Sequence, residues 1–182
     1  MSHPKPLVLT IGHSNRSLED FLELLQANEV ACLADVRKMP RSRHNPQFNQ
    51  ETLPAALAAA GVEYVAMPGL GGLRPRVPES VNTGWRNPSF QGFADYMQTP
   101  AFEEALAALV RRARKERVAI MCAEAVPWRC HRSLIADALL IRNVAVEDIL
   151  GSGPRKPHRL TPWAHVQGTR ITYPEEQGSL FT

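Results

Sequence analysis

Cysteine is scarce in this chain: three in 182 residues, an odd count that does not suit a disulfide framework and points to free thiols. Long apolar runs are missing as well. Nothing approaches the roughly 20 residues that a membrane-spanning helix needs, so no membrane partner is expected. The first residues carry no charged-then-apolar leader, which makes a cytoplasmic location the expectation. Neither sign of charge dominates: 21 Lys and Arg against 18 Asp and Glu leave a net +3, with a pI near 9.0. So small an excess favours anionic ligands but is a weak sign of nucleic acid. There is no internal repeat and no low-complexity tract, and the length suits a single domain, residues 1–182, with enough apolar content for a full core.

Strand-like and helix-like segments alternate. Residues 7–11 form a β-rich run, and Ser17 then offers an N-cap to a helix whose Leu18, Phe21, Leu22 and Leu25 recur at helical spacing. Residues 30–36 read as a second strand, 52–60 as a helix closing on Gly61, and 62–67 as a third strand. Residues 68–90, rich in Pro and Gly, read as irregular, and a loop of that length in a compact domain suits a lid. Thr99-Pro100 opens a long helix with Phe102, Leu106, Leu109 and Ala113 inward. A fourth strand at 118–122, a helix after Arg132 and a fifth strand at 144–150 complete the series. Residues 151–182 are expected to be a tail packing on the domain, with a hairpin around Gln167-Gly168. Continuous apolar strands alternating with helices predict an α/β three-layer sandwich around a mainly parallel sheet of about five strands.

In an open parallel sheet, ligands bind beyond the carboxyl ends of the strands. The first strand ends in His13 and Ser14, the second in Asp35 and Arg37, with Ser42 and Arg43 in the loop that follows. The third leads to Gly71 and Gly72, and the fourth to Cys122, Glu124, Cys130, His131 and Arg132. Reactive or glycine-rich groups thus cap four consecutive strands. Each has a plainer reading beside the functional one. His13 and Ser14 suit a helix cap, Asp35 an ion pair with Arg37 or Arg43, and the arginines at 111–117 a solvated helix face. Cys32, inside a strand, reads as a small core residue. The Gly69–Gly72 turn lacks the spacing of a phosphate-binding loop, and no cofactor is implied. Cys130, His131 and Arg132 stand at a helix N-terminus, which favours an anion and lowers a thiol's pKa.

The motifs Thr10-Ile-Gly-His-Ser14, Asp35-Val-Arg37, Leu70-Gly-Gly72, Met121-Cys-Ala-Glu124 with Pro127, Cys130-His-Arg132 and Thr172-Tyr-Pro174 together resemble a bacterial and archaeal family known only as a domain of unknown function, number 488. That resemblance runs from about residue 9 to 174 and implies no established activity. A fainter likeness, at the level of layout, is to rhodanese-type sulfurtransferases and their phosphatase relatives, whose strand-end cysteine sits in a cradle of backbone N–H groups. Here nine residues separate Cys122 from Arg132, too many for that tight cradle.

Three functions fit these residues. The first is an enzyme on a small anionic substrate bearing phosphate or sulfur. Its nucleophile is Cys122 or Cys130 or its acid/base is Glu124, with His13 or His131 moving protons, Asp35 in the same cluster, and Ser14, Arg37, Ser42, Arg43, Gly71, Gly72 and Arg132 holding the substrate. The second is a nucleic-acid-binding or nucleic-acid-processing module using loop arginines and an exposed Trp85 or Trp163. The third is a metal-dependent site drawing on Cys122, Cys130, His131 and His13, although their spacing matches no zinc-ribbon or zinc-finger pattern.

Overall fold

The computed structural model describes residues 4–175. A six-stranded sheet has the order β3-β2-β4-β1-β5-β6, formed by β1 (Leu7–Gly12), β2 (Cys32–Asp35), β3 (Glu63–Ala66), β4 (Val118–Cys122), β5 (Ala145–Ile149) and β6 (Lys156–Pro157). Its first five members run parallel, and only β6 pairs antiparallel, against β5. The helices are α1 (Leu18–Ala27), α2 (Leu53–Ala59), α3 (Pro88–Tyr96), α4 (Pro100–Ala113) and α5 (Arg132–Leu140). A separate two-stranded ribbon of β7 (His165–Gln167) and β8 (Arg170–Thr172) turns through Gln167-Gly168 as expected. The protein is therefore a three-layer α/β domain. No helix among the described residues is long and apolar enough to cross a membrane.

Alternation along each strand builds two cores. Leu9, Ile11, Leu33, Ala119 and Met121 pack with Phe21 and Leu25 of α1 and Leu53 and Leu57 of α2. Val8, Cys32, Ala34, Val118, Ile120 and Cys122 face the other way, toward α3, α4 and α5. Burial on both faces is why the strands read as unbroken apolar runs. The parity also has a chemical consequence: Cys122, the last residue of β4, points to the layer that contains the start of α5. Helix starts follow their caps, since Ser17 accepts from the Asp20 N–H and Thr99 from the Phe102 N–H.

The segment 68–90 is irregular over residues 71–87, as expected, but not at its ends, the first of which is a 3-10 turn at Pro68–Leu70. Its last residues already belong to α3, capped by Asn87, whose side chain accepts from the Ser89 N–H, with Pro88 in the first turn. The remainder is tied down. The buried Asp95 of α3 accepts from the Val77 N–H at 3.0 Å, from Asn82 Nδ2 at 2.8 Å and from the Ser80 hydroxyl. The guanidinium of Arg74 lies 3.9 Å from the centre of the Tyr96 ring. A second buried carboxylate, Asp137 of α5, gathers the tail, accepting from His158 Nε2 at 2.7 Å, the Thr161 N–H at 3.1 Å and the Tyr173 hydroxyl at 2.8 Å.

Candidate functional site

The carboxyl ends of β1, β2 and β4 meet at one place. The His13 and Ser14 N–H groups donate to the carbonyls of Cys122 and Ala123, both at 2.9 Å. So close an approach requires Gly12, where a β-carbon would lie 1.6 Å from the Glu124 carbonyl oxygen. His13 is buried against Phe48, the rings stacked 4.5 Å apart. Its Nδ1–H donates to the Ser14 carbonyl at 2.8 Å, and its Nε2 faces Arg37 Nη1 at 3.3 Å. Burial, and then the Arg37 charge, hold its pKa below the usual histidine value, against the pull of the Ser14 bond. His13 is a neutral imidazole with both nitrogens engaged.

Asp35 and Arg37 form a buried bidentate pair, with Nε to Oδ1 at 2.9 Å and Nη2 to Oδ2 at 2.7 Å. Tyr64 adds its hydroxyl to Oδ2 at 2.6 Å, and Arg37 also donates to the Phe48 carbonyl at 2.7 Å. The plainer reading of Asp35, an ion pair with Arg37, describes this geometry. Burial and that bond to Asp35 push the Tyr64 phenol well above its ordinary range.

The two cysteines lie on the other side of the same rim. Cys122 ends β4, Cys130 precedes α5, and their Sγ atoms are 2.7 Å apart. Both are free thiols. Around Cys130 Sγ stand the Arg132 N–H, which donates at 3.4 Å, and His131 Nδ1 at 3.5 Å. The His131 ring is fixed from its far side. Its Nε2 lies 3.0 Å from the Val36 carbonyl and 3.1 Å from that of Leu70, so this nitrogen carries a proton and Nδ1 is turned to the sulfur. Gly72 makes room for the ring, because a β-carbon there would meet His131 Nδ1 at 3.0 Å. That gives the glycine turn after β3 a purpose unrelated to phosphate.

These donors split the two thiols. Cys130 is lowered to about 4, first by the hydrogen bond from Cys122, then by His131 and Arg132, against the opposing effect of burial. Cys122 is pushed well above the thiol range by burial and by the neighbouring Cys130 charge. The surroundings thus favour negative charge on Cys130 and the proton on Cys122.

Arg132 is fully buried. Its guanidinium donates to the carbonyls of Glu124 at 2.9 Å and Ala125 at 3.5 Å and to Thr10 Oγ1 at 3.4 Å, and Thr10 in turn donates to Asp148. No carboxylate touches it directly, and its Nε meets no acceptor among the described residues. Arg132 thus holds the 123–129 loop from beneath.

A cavity of about 390 Å³ opens over the thiols, lined by Cys122, Cys130, His131, Glu124 and Gly72 together with the cationic Arg37, Lys38 and Arg129. Lys38 was missed by sequence reasoning and Arg129, though inside the 122–132 element, was not singled out: Lys38 follows Arg37 and Arg129 precedes Cys130, yet nothing local tells which side chain turns inward. Ser14 lies at the rim with φ near 50°. Gly71 packs against the Lys38 backbone. Ser42 and Arg43 lie outside this cavity. The Ser42 hydroxyl accepts from the His44 and Asn45 N–H groups and organises its own loop, and Arg43 is exposed.

Two alternatives change in this light. His13 does not turn toward the thiols, as a shared metal site would require. Among the described residues the one cluster of close metal-type ligands is Cys32, Glu63 and Glu116, and Arg112 occupies it with bonds of 2.7 and 2.8 Å to the carboxylates. Trp85 and Trp163, expected to be exposed, pack edge to face at 5.1 Å, and it is Trp128 that is exposed.

Residues 17–139, the span from α1 into α5 that includes Cys122 and Cys130, match the family described as domain of unknown function DUF488. The chain belongs to that family. No curated protein and no solved structure matches it. Family membership carries no activity, so the DUF488 site must be read from its own chemistry.

Proposed function

We propose that this DUF488 protein is a thiol-dependent enzyme in which Cys130, as a thiolate, attacks a small anionic substrate held in the cavity. The observation that carries the reading is the convergence on one sulfur of two donors, the Cys122 thiol and the Arg132 N–H, with the oriented His131 ring 3.5 Å away. A thiol beside an imidazole that is itself oriented by a third group is the arrangement nucleophilic catalysis requires. Here two backbone carbonyls supply the orientation. Helix α5 adds its N-terminal dipole, which favours negative charge at Cys130.

Lys38 and Arg129 would receive the substrate's charge beside the Asp35-paired Arg37, and the exposed Glu124 would exchange a proton with the leaving group. His13, Asp35 and Arg132 work one layer back, as positioning residues. Asp35 presents Arg37, His13 receives Arg37 Nη1, and Arg132 holds the loop that joins the two cysteines.

Limited alkylation with iodoacetamide at neutral pH, followed by peptide mapping, tests this. The adduct is expected on Cys130, should slow as sulfate or phosphate is added, and should vanish in Cys130→Ser. Labelling spread equally over Cys32 and Cys130, or unaffected by the anions, would remove the proposal.

A further inference from the structure

A nucleophilic thiolate does not need a second thiol in contact with it. Phosphoryl and acyl transfer proceed through a single cysteine and would use Cys122 only as a hydrogen-bond donor. A second thiol becomes useful when the atom bound to Cys130 is sulfur, because it can then displace that atom and close a disulfide. Cys122 is placed for that step. Its Sγ is 2.7 Å from Cys130 Sγ, about 0.65 Å beyond the bonded distance of ~2.05 Å.

The connecting loop is held in a closed shape from several sides. The Ser14 N–H donates to the Ala123 carbonyl, Arg132 clamps the carbonyls of Glu124 and Ala125, and the Cys130 N–H closes a turn onto Pro127. The sulfurs can therefore join without refolding the loop.

The geometry points to a dithiol oxidoreductase, in which Cys130 attacks, Cys122 resolves, and the substrate is a small anionic disulfide. This inference rests on the thiolate reading above and adds the substrate class and the second residue. The Cys130 thiolate attacks one sulfur of R–S–S–R, breaking the S–S bond, forming Cys130–S–S–R and releasing R–S⁻. Cys122, relieved of the neighbouring Cys130 charge once the mixed disulfide has formed, then attacks Cys130 Sγ as its proton passes to the departing sulfur, so that the Cys122–Cys130 disulfide forms and the second half leaves as R–SH. The substrate gains two electrons and the cysteine pair loses two. An external dithiol reductant restores the pair by the same exchange in reverse. Peroxides would also oxidise such a pair, but a cavity of about 390 Å³ with Arg37, Lys38 and Arg129 on its wall is built for a larger, charged molecule. Cys32 takes no part. It is buried in the sheet beside Arg112 and pushed up to about 11, chiefly by burial.

The test adds 5,5′-dithiobis(2-nitrobenzoate), an anionic disulfide, to the reduced full-length protein in the absence of oxygen. Wild type should release two equivalents of thiolate, lose the mass of two hydrogens and yield a Cys122–Cys130 linked peptide on non-reducing digestion. Cys122→Ser and Cys122→Ala should release one equivalent and retain the adduct on Cys130, while Cys130→Ser should give no rapid release. Wild type halting at one equivalent, with the adduct on Cys130, would overturn the resolving role and leave the nucleophile standing. No rapid reaction, or an adduct on Cys122, would overturn both. Faster closure of the disulfide by hydrogen peroxide at equal concentration would overturn the substrate class.

Discussion

Two arginines are buried at the carboxyl end of the sheet, and their charges are answered in opposite ways. Arg37 grips Asp35 through two short bonds, with Tyr64 closing the remaining side of the carboxylate. Arg132 has carbonyls and a hydroxyl for partners, and one of its N–H groups has none. A buried cation without a carboxylate is costly unless another anion lies within reach. Near Arg132 the buried Asp148 carboxylate lies one hydroxyl away, through Thr10, and the arginine's charge also helps to lower the Cys130 thiol. Arg37 is thus answered by a direct ion pair and Arg132 only at a remove.

Stability measurements can break this comparison. Asp35→Ala removes the carboxylate from a buried guanidinium, and breaking such a pair from one side costs about 3–5 kcal/mol. Arg132→Met leaves carbonyls unpaired, and Cys130, losing the arginine's charge, can take up a proton rather than remain a stranded anion, so its cost should be nearer ~1–3 kcal/mol. Urea unfolding of the two variants gives the order directly. Equal losses, or a larger loss in Arg132→Met, would mean that Arg132 is as fully paired as Arg37.

A smaller effect sharpens the Arg37 side. Because His13 is buried and faces Arg37, its pKa is lowered on folding, so the folded state resists taking up a proton that the unfolded chain accepts. This contribution is fully present above the unfolded value of about 6.5 and is lost as pH falls toward the folded one. The melting temperature should accordingly drop through that window in wild type, and the slope should flatten in His13→Gln. An unchanged slope in the variant would show that His13 titrates as if exposed.

The fold was largely legible in the sequence, because strands buried on both faces must be continuously apolar. Caps such as Ser17 and Thr99 announced their helices through local hydrogen bonds that a sequence displays directly. Helix α3 was missed although Asn87-Pro88 offers the same cap-and-proline start as Thr99-Pro100; Gly92 and the Pro- and Gly-rich run before it masked that signal, and packing of Phe93 and the Asp95 bonds secure the helix. At the site, strand ends located Cys122, Cys130, His131, His13 and Arg37. Burial was what the sequence withheld. It does not say that Arg132 lies beneath the loop while Lys38 and Arg129 reach the cavity. Nor does it bring Phe48 and Tyr64, from separate segments, against His13 and Asp35. Those contacts arise from the packing of distant elements, which no local pattern encodes.

The comparison depends finally on whether Cys130 is a thiolate. The most direct measurement is the rate of iodoacetamide labelling at Cys130 against pH in wild type and in Cys122→Ala. With its pKa held at about 4, the wild-type rate should be flat between about pH 6 and pH 8, whereas an ordinary thiol with a pKa near 8.5 gains about tenfold per unit there. The profile of Cys122→Ala should move upward in pH, since the Cys122 bond is the largest contribution to the lowering. A wild-type rate that climbs with pH as an ordinary thiol's does would contradict the account.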